Sequence, residues 1–518
     1  MSFPLITWWK KDTALNTYVF GLFLIGLPFT LFSTYVVYQL QVVGYIVGTD
    51  SDGLPCTTYC LVPFGSQDLD LNSVILYLNA LGFGLGGVAA VFIAAYADFW
   101  KKKSTLVAIF IIAYGIVCIP VYWLRSTTLA AFNALMALYV VYAVITYILS
   151  VLFCIFIPHC MRTVTEDDDV ETSGSEQTYG QEPKSPREIT TTFEYGGSVS
   201  KEAISRKYGF KMSIFGSFGT AVGGIIALLV VIILYRTLPT SSNQQQSAGL
   251  LVTTIIGFLT VLGSLVTYLG LPAVPAKPKE SWKAWWAELF TPLRDLSRRM
   301  NMAVLLLSYT IYVDTVFALN SVTAQLYFVQ VMPDTLEYTL YSMASTIFGA
   351  ITALGFYMVQ IWRPPFRLEY WLVIGYAIIL IIPIWGCIGF ADGVNFGFKN
   401  RFEFYVQSLL FNVSGSIVNS VFRVLFSEMM PKGSEVEWFG LQVILSCATA
   451  WVSYVANAPL QNATHELRFP LVLCLIMLVV PVVLEICRFT MSIFENDKIR
   501  WKEHDESQLA RVVFAEES

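Results

Sequence analysis

Two charged side chains lie within stretches of sequence that are otherwise apolar enough to cross a bilayer. Asp314 falls near the middle of the run 302–328, and Arg423 falls near the end of the run 404–426. Charged groups at membrane depth are costly and commonly mark a solute path or an internal pair. Three chemistries fit: an ion pair between Asp314 and Arg423, proton carriage by Asp314, and binding of a substrate carboxylate by Arg423.

Polar side chains accompany both charges at helical spacing. Before Arg423, four polar residues recur at intervals that place all five on one helix face. They are Ser408, Asn412, Ser416 and Asn419. Asp314 shares a helix face with Thr310, Ser321 and Gln325, and Tyr312 and Asn320 lie close to that face. We expect both faces to line a bundle interior or a watery cavity. The candidate substrate or coupling residues are Asp314, Asn320, Arg423, Asn412, Ser416, Asn419 and Tyr312.

The overall composition is that of a membrane protein. Of 518 residues, 56% are hydrophobic and 13% are charged, whereas a soluble domain carries about 25% charge. The first apolar run has no small-residue cleavage site after a short core, so we expect it to be retained as a helix. The fold class is therefore an all-α polytopic membrane protein.

Twelve runs are long enough to cross a bilayer, which takes about 20 apolar residues each. Their approximate bounds are Val19–Tyr45, Val74–Ala97, Leu106–Leu124, Thr128–Ile157, Phe215–Tyr235, Leu250–Leu271, Met302–Phe328, Leu340–Ile361, Trp371–Phe390, Phe404–Phe426, Trp438–Val455 and Leu471–Phe494. Both termini then share one side. Segments on that side hold 26 of the 32 Lys and Arg residues, which predicts cytosolic termini.

The spans and loops divide the chain into six segments. They are residues 1–161 with helices one to four, an acidic cytosolic loop at 162–206, residues 207–272 with helices five and six, a cytosolic linker at 273–301, residues 302–496 with helices seven to twelve, and a cytosolic tail at 497–518. The 162–206 loop is expected to be disordered. Aromatic and Leu residues at helical spacing after Trp282 predict an amphipathic helix in the linker.

The loop after span two carries an acid followed by basic residues: Asp98, Lys101, Lys102 and Lys103. It resembles the loop between helices two and three of the major facilitator superfamily, where such residues lock helix ends on the cytosolic face. This resemblance implies gating roles for the four residues and two major-facilitator-like 6+6 bundles of twelve transmembrane helices. Ordinary positive flanking of a span is the alternative. Glu428 and Glu435, around the turn after span ten, are further gating candidates.

Two features are expected on the outer side. Cys56 and Cys60 lie in the first outer loop, where they would pair in an oxidising compartment or stay free. Asn462 begins an Asn-Ala-Thr sequon and is a predicted glycosylation site.

The sequence indicates no enzyme site. His159, His465 and His504 share no motif, and neither metal-binding CxxC or HExxH spacing nor a phosphate-binding G-x-x-x-x-G-K-[ST] loop occurs. We therefore expect no metal, no cofactor and no enzymatic activity. No basic block indicates nucleic-acid binding.

Two stretches, Asn301–Ser321 and Phe402–Leu441, resemble the vacuolar amino-acid effluxer family of autophagy-related transporters. The match is carried by Arg423, Ser427-Glu428, Pro431-Lys432-Gly433-Ser434-Glu435 and Phe439-Gly440. Lys432 replaces a family proline, and helix eleven lacks the family's charged pair. The resemblance implies a multi-pass vacuole membrane protein that exports amino acids such as leucine to the cytosol. Protons are a candidate coupling ion, and we expect a monomer.

Two other functions fit the same residues. A non-transporting scaffold or sensor would use the 162–206 loop or the tail to bind cytosolic partners. A carrier of the same fold would move another small solute, such as a sugar or a peptide.

Overall fold

The computed structural model describes residues 12–50, 53–56, 60–65, 67–100, 102–157, 159–160, 163, 201–238, 247–274, 294, 296, 299–362, 368–391, 393–429, 435–464, 466, 468–488 and 490.

Twelve long helices and one two-stranded hairpin follow one another in this part of the chain. They are α1 (Thr13–Val47, with a π-helical segment at Phe32–Val36), β1 (Leu61–Phe64), β2 (Gln67–Asp70), α2 (Leu71–Phe99), α3 (Lys103–Cys118, continued by the 3-10 helix Ile119–Leu124), α4 (Leu129–Cys154), α5 (Lys201–Thr237), α6 (Ala248–Gly270), α7 (Met300–Val331), α8 (Thr335–Trp362), α9 (Leu368–Ile388), α10 (Arg401–Met429), α11 (Glu435–Thr464) and α12 (Phe469–Arg488).

Within the described ranges, eleven helices are long and apolar enough to cross a membrane. α11 has 30 residues and occupies the place of the predicted eleventh span, but it is not among the eleven. Thr449, Ser453, Asn457 and Gln461 lower its apolar content. The all-α polytopic fold is confirmed, and the count of twelve crossings stays a prediction at α11.

Several helices begin at side chains that accept a hydrogen bond from the first turn. Asp12 Oδ1 accepts from the Leu15 amide at 3.2 Å, and Asp70 Oδ1 accepts from the Asn72 amide at 3.2 Å. Such contacts satisfy amide groups that have no partner within the helix. The starts of α1 and α2 are therefore set by local sequence.

Three predicted segments fall largely outside the described residues. They are the acidic loop at 162–206, the amphipathic helix of the 273–301 linker, and the tail at 497–518. α5 begins at Lys201, earlier than the predicted span, so the last residues of the 162–206 loop are helical.

The helices form two bundles, each with its own core. Buried apolar side chains of α1–α6 make one continuous cluster, and those of α7–α12 make a second. Leu76, Ala80 and Phe83 of α2 belong to the second cluster, so α2 joins the bundles.

The bundles meet mainly where α2 runs along α11 and α5 runs along α8. Gln461 Nε2 of α11 donates to Asp70 Oδ2 at 3.1 Å, and Ser73 Oγ of α2 donates to the Ala458 carbonyl at 3.2 Å. These contacts lie on the side that carries β1 and β2, which we call the hairpin side. The opposite side, where α1 begins and α12 ends, we call the termini side.

The hairpin is antiparallel, with Leu61 opposite Asp70 and Phe64 opposite Gln67. Just before it, Cys56 and Cys60 are joined by a disulfide bond, with Cα atoms 5.0 Å apart. The bond closes the short loop that leads into β1.

Candidate functional site

A cavity of about 390 Å³ lies between the two bundles, in the hairpin-side half of the helices. Six helices line it, α1, α2, α4, α7, α8 and α10, and α11 adds Tyr454. The polar lining residues are Thr30, Ser33, Thr34, Gln41, Asn79, Tyr139, Tyr142, Thr146, Tyr147, Asn320, Ser321, Gln325, Tyr338, Tyr341, Ser342, Ser345, Thr346, Gln407, Ser408 and Tyr454.

The lining combines uncharged polar groups with apolar surface. None of the described residues that line the cavity carries a charge. Phe29, Ile75, Phe317 and Phe411 supply apolar patches among the hydroxyl and amide groups. Such a lining suits a small neutral or zwitterionic solute that has both hydrogen-bonding groups and an apolar part.

The α1 wall of the cavity contains the π-helical segment Phe32–Val36, which follows Pro28. Short π-helical segments within α-helices frequently lie at functional sites. Here Thr34 Oγ1 and Ser342 Oγ of α8 share a hydrogen bond of 2.8 Å, and Tyr35 OH and Thr339 Oγ1 share one of 2.7 Å. These contacts close the cavity between α1 and α8.

A second set of polar contacts joins three helices around Asn79. Tyr139 OH of α4 donates to Asn79 Oδ1 at 2.6 Å, and Asn79 Nδ2 donates to Ser321 Oγ of α7 at 3.2 Å. Sequence reasoning missed Asn79 and Tyr139. The signal that would have found Asn79 is an amide within an otherwise apolar span.

Aromatic side chains form the floor of the cavity on its termini side. The ring of Phe83 lies 4.6 Å from that of Tyr147, 5.2 Å from that of Phe317 and 5.4 Å from that of Tyr454, measured between centroids. This aromatic floor brings together α2, α4, α7 and α11. It separates the cavity from the termini-side half of the helices.

Asp314 lies one helical turn beyond Phe317, on the termini side of the aromatic floor. Its side chain is 2% exposed, and Thr449 Oγ1 of α11 donates to its Oδ2. Its Oδ1 has no hydrogen-bond partner among the described residues. Asp314 is thus a buried carboxyl group beside the cavity and not a lining residue.

Arg423 lies apart from Asp314, and the described residues contain no ion pair between them. Arg423 Nη1 instead donates to Ser213 Oγ of α5 at 2.9 Å. Because α10 and α5 belong to different bundles, this bond joins the bundles on the termini side. Of the three chemistries considered, the ion pair is not formed in this structure.

The other predicted residues of α10 mainly connect helices of the second bundle. Asn412 Nδ2 donates to the Ser345 carbonyl at 3.2 Å, and Ser416 Oγ and Thr352 Oγ1 lie 2.9 Å apart. Two further bonds join α7 to α10, from Tyr309 OH to Asn419 Oδ1 at 3.0 Å and between Tyr312 OH and Ser414 Oγ at 3.0 Å. Among the seven predicted substrate or coupling residues, Asn320 lines the cavity directly.

The predicted gating and modification residues are only partly described. Lys102 is exposed, and Lys103 is buried at the start of α3. Lys101 falls outside the described residues. Four more residues lie in helices, but their side chains are not described: Asp98, Glu428, Glu435 and the sequon residue Asn462.

Two six-helix bundles around a central polar cavity form a fold of the major-facilitator type. The fold is similar to that of the human organic anion transporter MFSD10, with a TM-score of 0.57, 14% identity, and coverage of 92% of this chain and 99% of that chain. The xylose transporter XylE from E. coli, in a partially occluded inward open conformation, is also similar, with a TM-score of 0.56, 11% identity and coverage of 91% and 97%. The chain belongs to the family described as vacuole effluxer Atg22 like, whose model matches residues 20–489.

Curated relatives carry the same family name. Autophagy-related protein 22 of Candida albicans is 25% identical over 488 residues, which cover 92% of this chain and 89% of the relative. Autophagy-related protein 22 of Saccharomyces cerevisiae (strain S288c) is 26% identical over 211 residues, which cover 39% of each chain.

Proposed function

We propose that this chain is a vacuolar membrane carrier that exports large neutral amino acids, such as leucine, from the vacuole lumen to the cytosol after autophagic breakdown. It acts as a monomer by alternating access, with both termini in the cytosol and the hairpin side in the lumen. The family relationship supports the assignment to the vacuolar membrane and the direction of export from the lumen to the cytosol. The excess of Lys and Arg on the termini side supports the orientation.

The observation that carries the proposal is the uncharged, mixed lining of the central cavity. Hydroxyl and amide groups, including Asn320 and Asn79, can satisfy the ammonium and carboxylate groups of a zwitterion. Phe317 and Phe411 supply apolar surface for an aliphatic side chain. A volume of about 390 Å³ lies within the range of about 300–1,000 Å³ that is usual for small-molecule sites.

A second candidate solute is a sugar, since an uncharged lining rich in hydroxyl, amide and aromatic groups also suits a polyol. Proteoliposomes loaded with labelled leucine, lysine, glutamate or glucose distinguish an amino-acid carrier from a sugar carrier.

We expect leucine efflux from these proteoliposomes. An Asn320→Ala variant should slow leucine efflux about tenfold, because it loses one buried hydrogen bond to the zwitterion. The exposed loop variant Asn395→Ala is the control. Glucose efflux without leucine efflux would favour the sugar.

A scaffold function is distinguished by deleting residues 164–200 of the acidic loop. A carrier keeps most of its leucine flux after the deletion, whereas a scaffold loses its cytosolic partners. No flux with any solute in the full chain, combined with loss of partners in the deletion variant, would favour the scaffold.

The bond between Arg423 and Ser213 is proposed to hold the carrier closed on the cytosolic side. A hydrogen bond to a charged group contributes about 1.5–3 kcal/mol, so its loss should shift the closed population by about tenfold or more. Cys154, at the termini-side end of α4, reports opening. With the other free cysteines replaced, Ser213→Ala should speed alkylation of Cys154 from the cytosolic side about tenfold.

The control for this experiment is Ser217→Ala, one turn further along α5. Its hydroxyl donates to the Ser213 carbonyl within the same helix and does not reach the other bundle. Equal alkylation rates in wild type and Ser213→Ala would show that this bond does not hold the carrier closed.

A further inference from the structure

One face of α10 runs from the central cavity to the termini side. Ser408 lines the cavity, and Asn419 and Arg423 lie about three and about four turns further along on the same face. From Ser408 to Arg423 the helix rises by about 22 Å, at about 1.5 Å per residue. A solute that leaves the cavity between the bundles toward the cytosol therefore passes this face of α10.

Arg423 is a partly buried cation at the junction of the bundles. Its Nη1 donates to Ser213 Oγ of α5 at 2.9 Å, which uses only part of the donor capacity of the guanidinium group. The ion pairs between described residues lie elsewhere. A hydroxyl oxygen accepts a hydrogen bond but brings no negative charge, so it compensates only in part for the removal of the cation from water. Among the described residues, the partner that this site lacks is an anion.

Asn419 adds a second donor one turn before Arg423. Tyr309 OH of α7 donates to Asn419 Oδ1 at 3.0 Å, so the Nδ2 group is left to donate, and it has no acceptor among the described residues. Among the same residues, a Cβ atom built on Gly415 would meet only this nitrogen, at 3.8 Å. The amide group thus borders open space on the side of α10 that leads back toward the cavity.

These two donors favour a carboxylate. Its two oxygen atoms can accept from the guanidinium group and from the amide group together, and hydrogen bonds between a guanidinium and a carboxylate are short and strong. The single positive charge of Arg423 balances a monovalent anion and not a phosphate dianion. The carboxylate of the exported solute and a free monovalent anion of the cytosol, such as chloride, are the two sources of this chemistry.

We propose that Arg423 and Asn419 form an exit site for the carboxylate group of the exported solute, and that this carboxylate replaces Ser213 as the partner of Arg423. The exchange frees α5 from α10, because the carboxylate occupies the place of the Ser213 hydroxyl group. Arrival of the solute thereby releases the contact that holds the carrier closed on the cytosolic side. The inference rests on the proposed export of amino acids, and it assigns to the solute a second site beyond the central cavity.

Alkylation of Cys154 from the cytosolic side tests the exchange in the full chain, with the other free cysteines replaced. In a sulfate medium, the reagent is added with leucine, with 4-methylpentanoate, which lacks the ammonium group, with leucinamide, which lacks the carboxylate, or with chloride. At about ten times their dissociation constants from the open state, leucine and 4-methylpentanoate should speed alkylation about tenfold. Leucinamide and chloride should leave the rate unchanged.

Two variants complete the experiment. Arg423→Gln should be alkylated rapidly without any ligand and should not respond to carboxylates. Arg299→Gln is the matched control, because Arg299 Nη1 donates to the Met429 carbonyl at the end of α10, at 3.5 Å, and this bond does not involve the other bundle. This control should respond to carboxylates as the wild type does.

The ligand series on the wild-type background decides the inference even where Arg423→Gln does not fold. Equal rates with leucine and leucinamide, a response to chloride alone, or no response to either carboxylate would overturn it. A response to 4-methylpentanoate in a chain that shows no leucine efflux from proteoliposomes would support the carboxylate site and count against the proposed function.

Discussion

Replacing Asp314 with asparagine is expected to abolish acid-driven solute export while solute exchange continues. The carboxyl group is buried in α7, accepts a hydrogen bond from Thr449 and leaves Oδ1 without a partner among the described residues. Intramembrane carboxyl groups in transporters commonly carry protons. An amide has the same shape and can still accept from Thr449, but it cannot gain or release a proton.

The measurement is leucine flux from vesicles with and without a pH gradient across the membrane. In Asp314→Asn, the leucine export rate measured with the pH gradient should fall to the export rate measured without the gradient. The rate of exchange of labelled for unlabelled leucine should stay near that of the wild type. Thr449→Ser keeps the hydroxyl donor and is the control. A full response to the gradient in Asp314→Asn would contradict proton carriage by this residue and leave the transport proposal standing.

Replacing Arg488 with methionine is expected to lower the free energy of unfolding by about 3–5 kcal/mol, because it leaves a buried charge without its partner. Arg488 Nε donates to Glu485 Oε1 at 2.8 Å, and the two side chains are 3% and 0% exposed. Ser308 Oγ of α7 also donates to Glu485 Oε2, at 3.5 Å. The pair therefore ties the termini-side end of α12 to α7.

Unfolding in detergent at rising temperature tests this expectation. A second change, Glu485→Leu, removes the orphaned carboxylate and should recover most of the lost stability, since buried pairs can often be replaced by apolar side chains. If the double variant is no more stable than Arg488→Met alone, the loss comes from packing and not from the unpaired charge.

The helices were predictable because each depends on local composition. The predicted span Phe404–Phe426 corresponds to α10 at Arg401–Met429, and most other apolar runs agree as closely. A run of apolar residues must form its backbone hydrogen bonds internally when it lies in lipid. That requirement acts on each helix separately and needs no knowledge of its neighbours.

The ion pair considered between Asp314 and Arg423 is not formed in this structure. The helical spacing of residues gives the helix face on which a side chain lies, but it does not give the depth of that side chain in the membrane or the helix that lies beside it. Asp314 lies 14 residues into α7, and Arg423 lies six residues from the end of α10. Both counts start from the termini side, so the residues differ in depth by about 12 Å at about 1.5 Å per residue. This offset was present in the sequence and argues against the ion pair.

The cavity itself could not be predicted from one sequence. Asn79 and Ser321 are 242 residues apart and meet only because α2 packs beside α7. Nothing local to either residue indicates that contact. Asn412 and Ser416 were predicted to face a bundle interior or a cavity, and the packing of α8 against α10 decides between the two.

The π-helical segment of α1 has a consequence for how the lining of the cavity can change. An α-helix turns by about 100° per residue, so gain or loss of one residue within Phe32–Val36 would rotate the following half of α1 by about that angle. The preceding half, where Gly26 packs closely on Thr220 of α5, would keep its place. A single-codon insertion or deletion at this turn would therefore exchange a whole set of cavity-lining side chains in one evolutionary step.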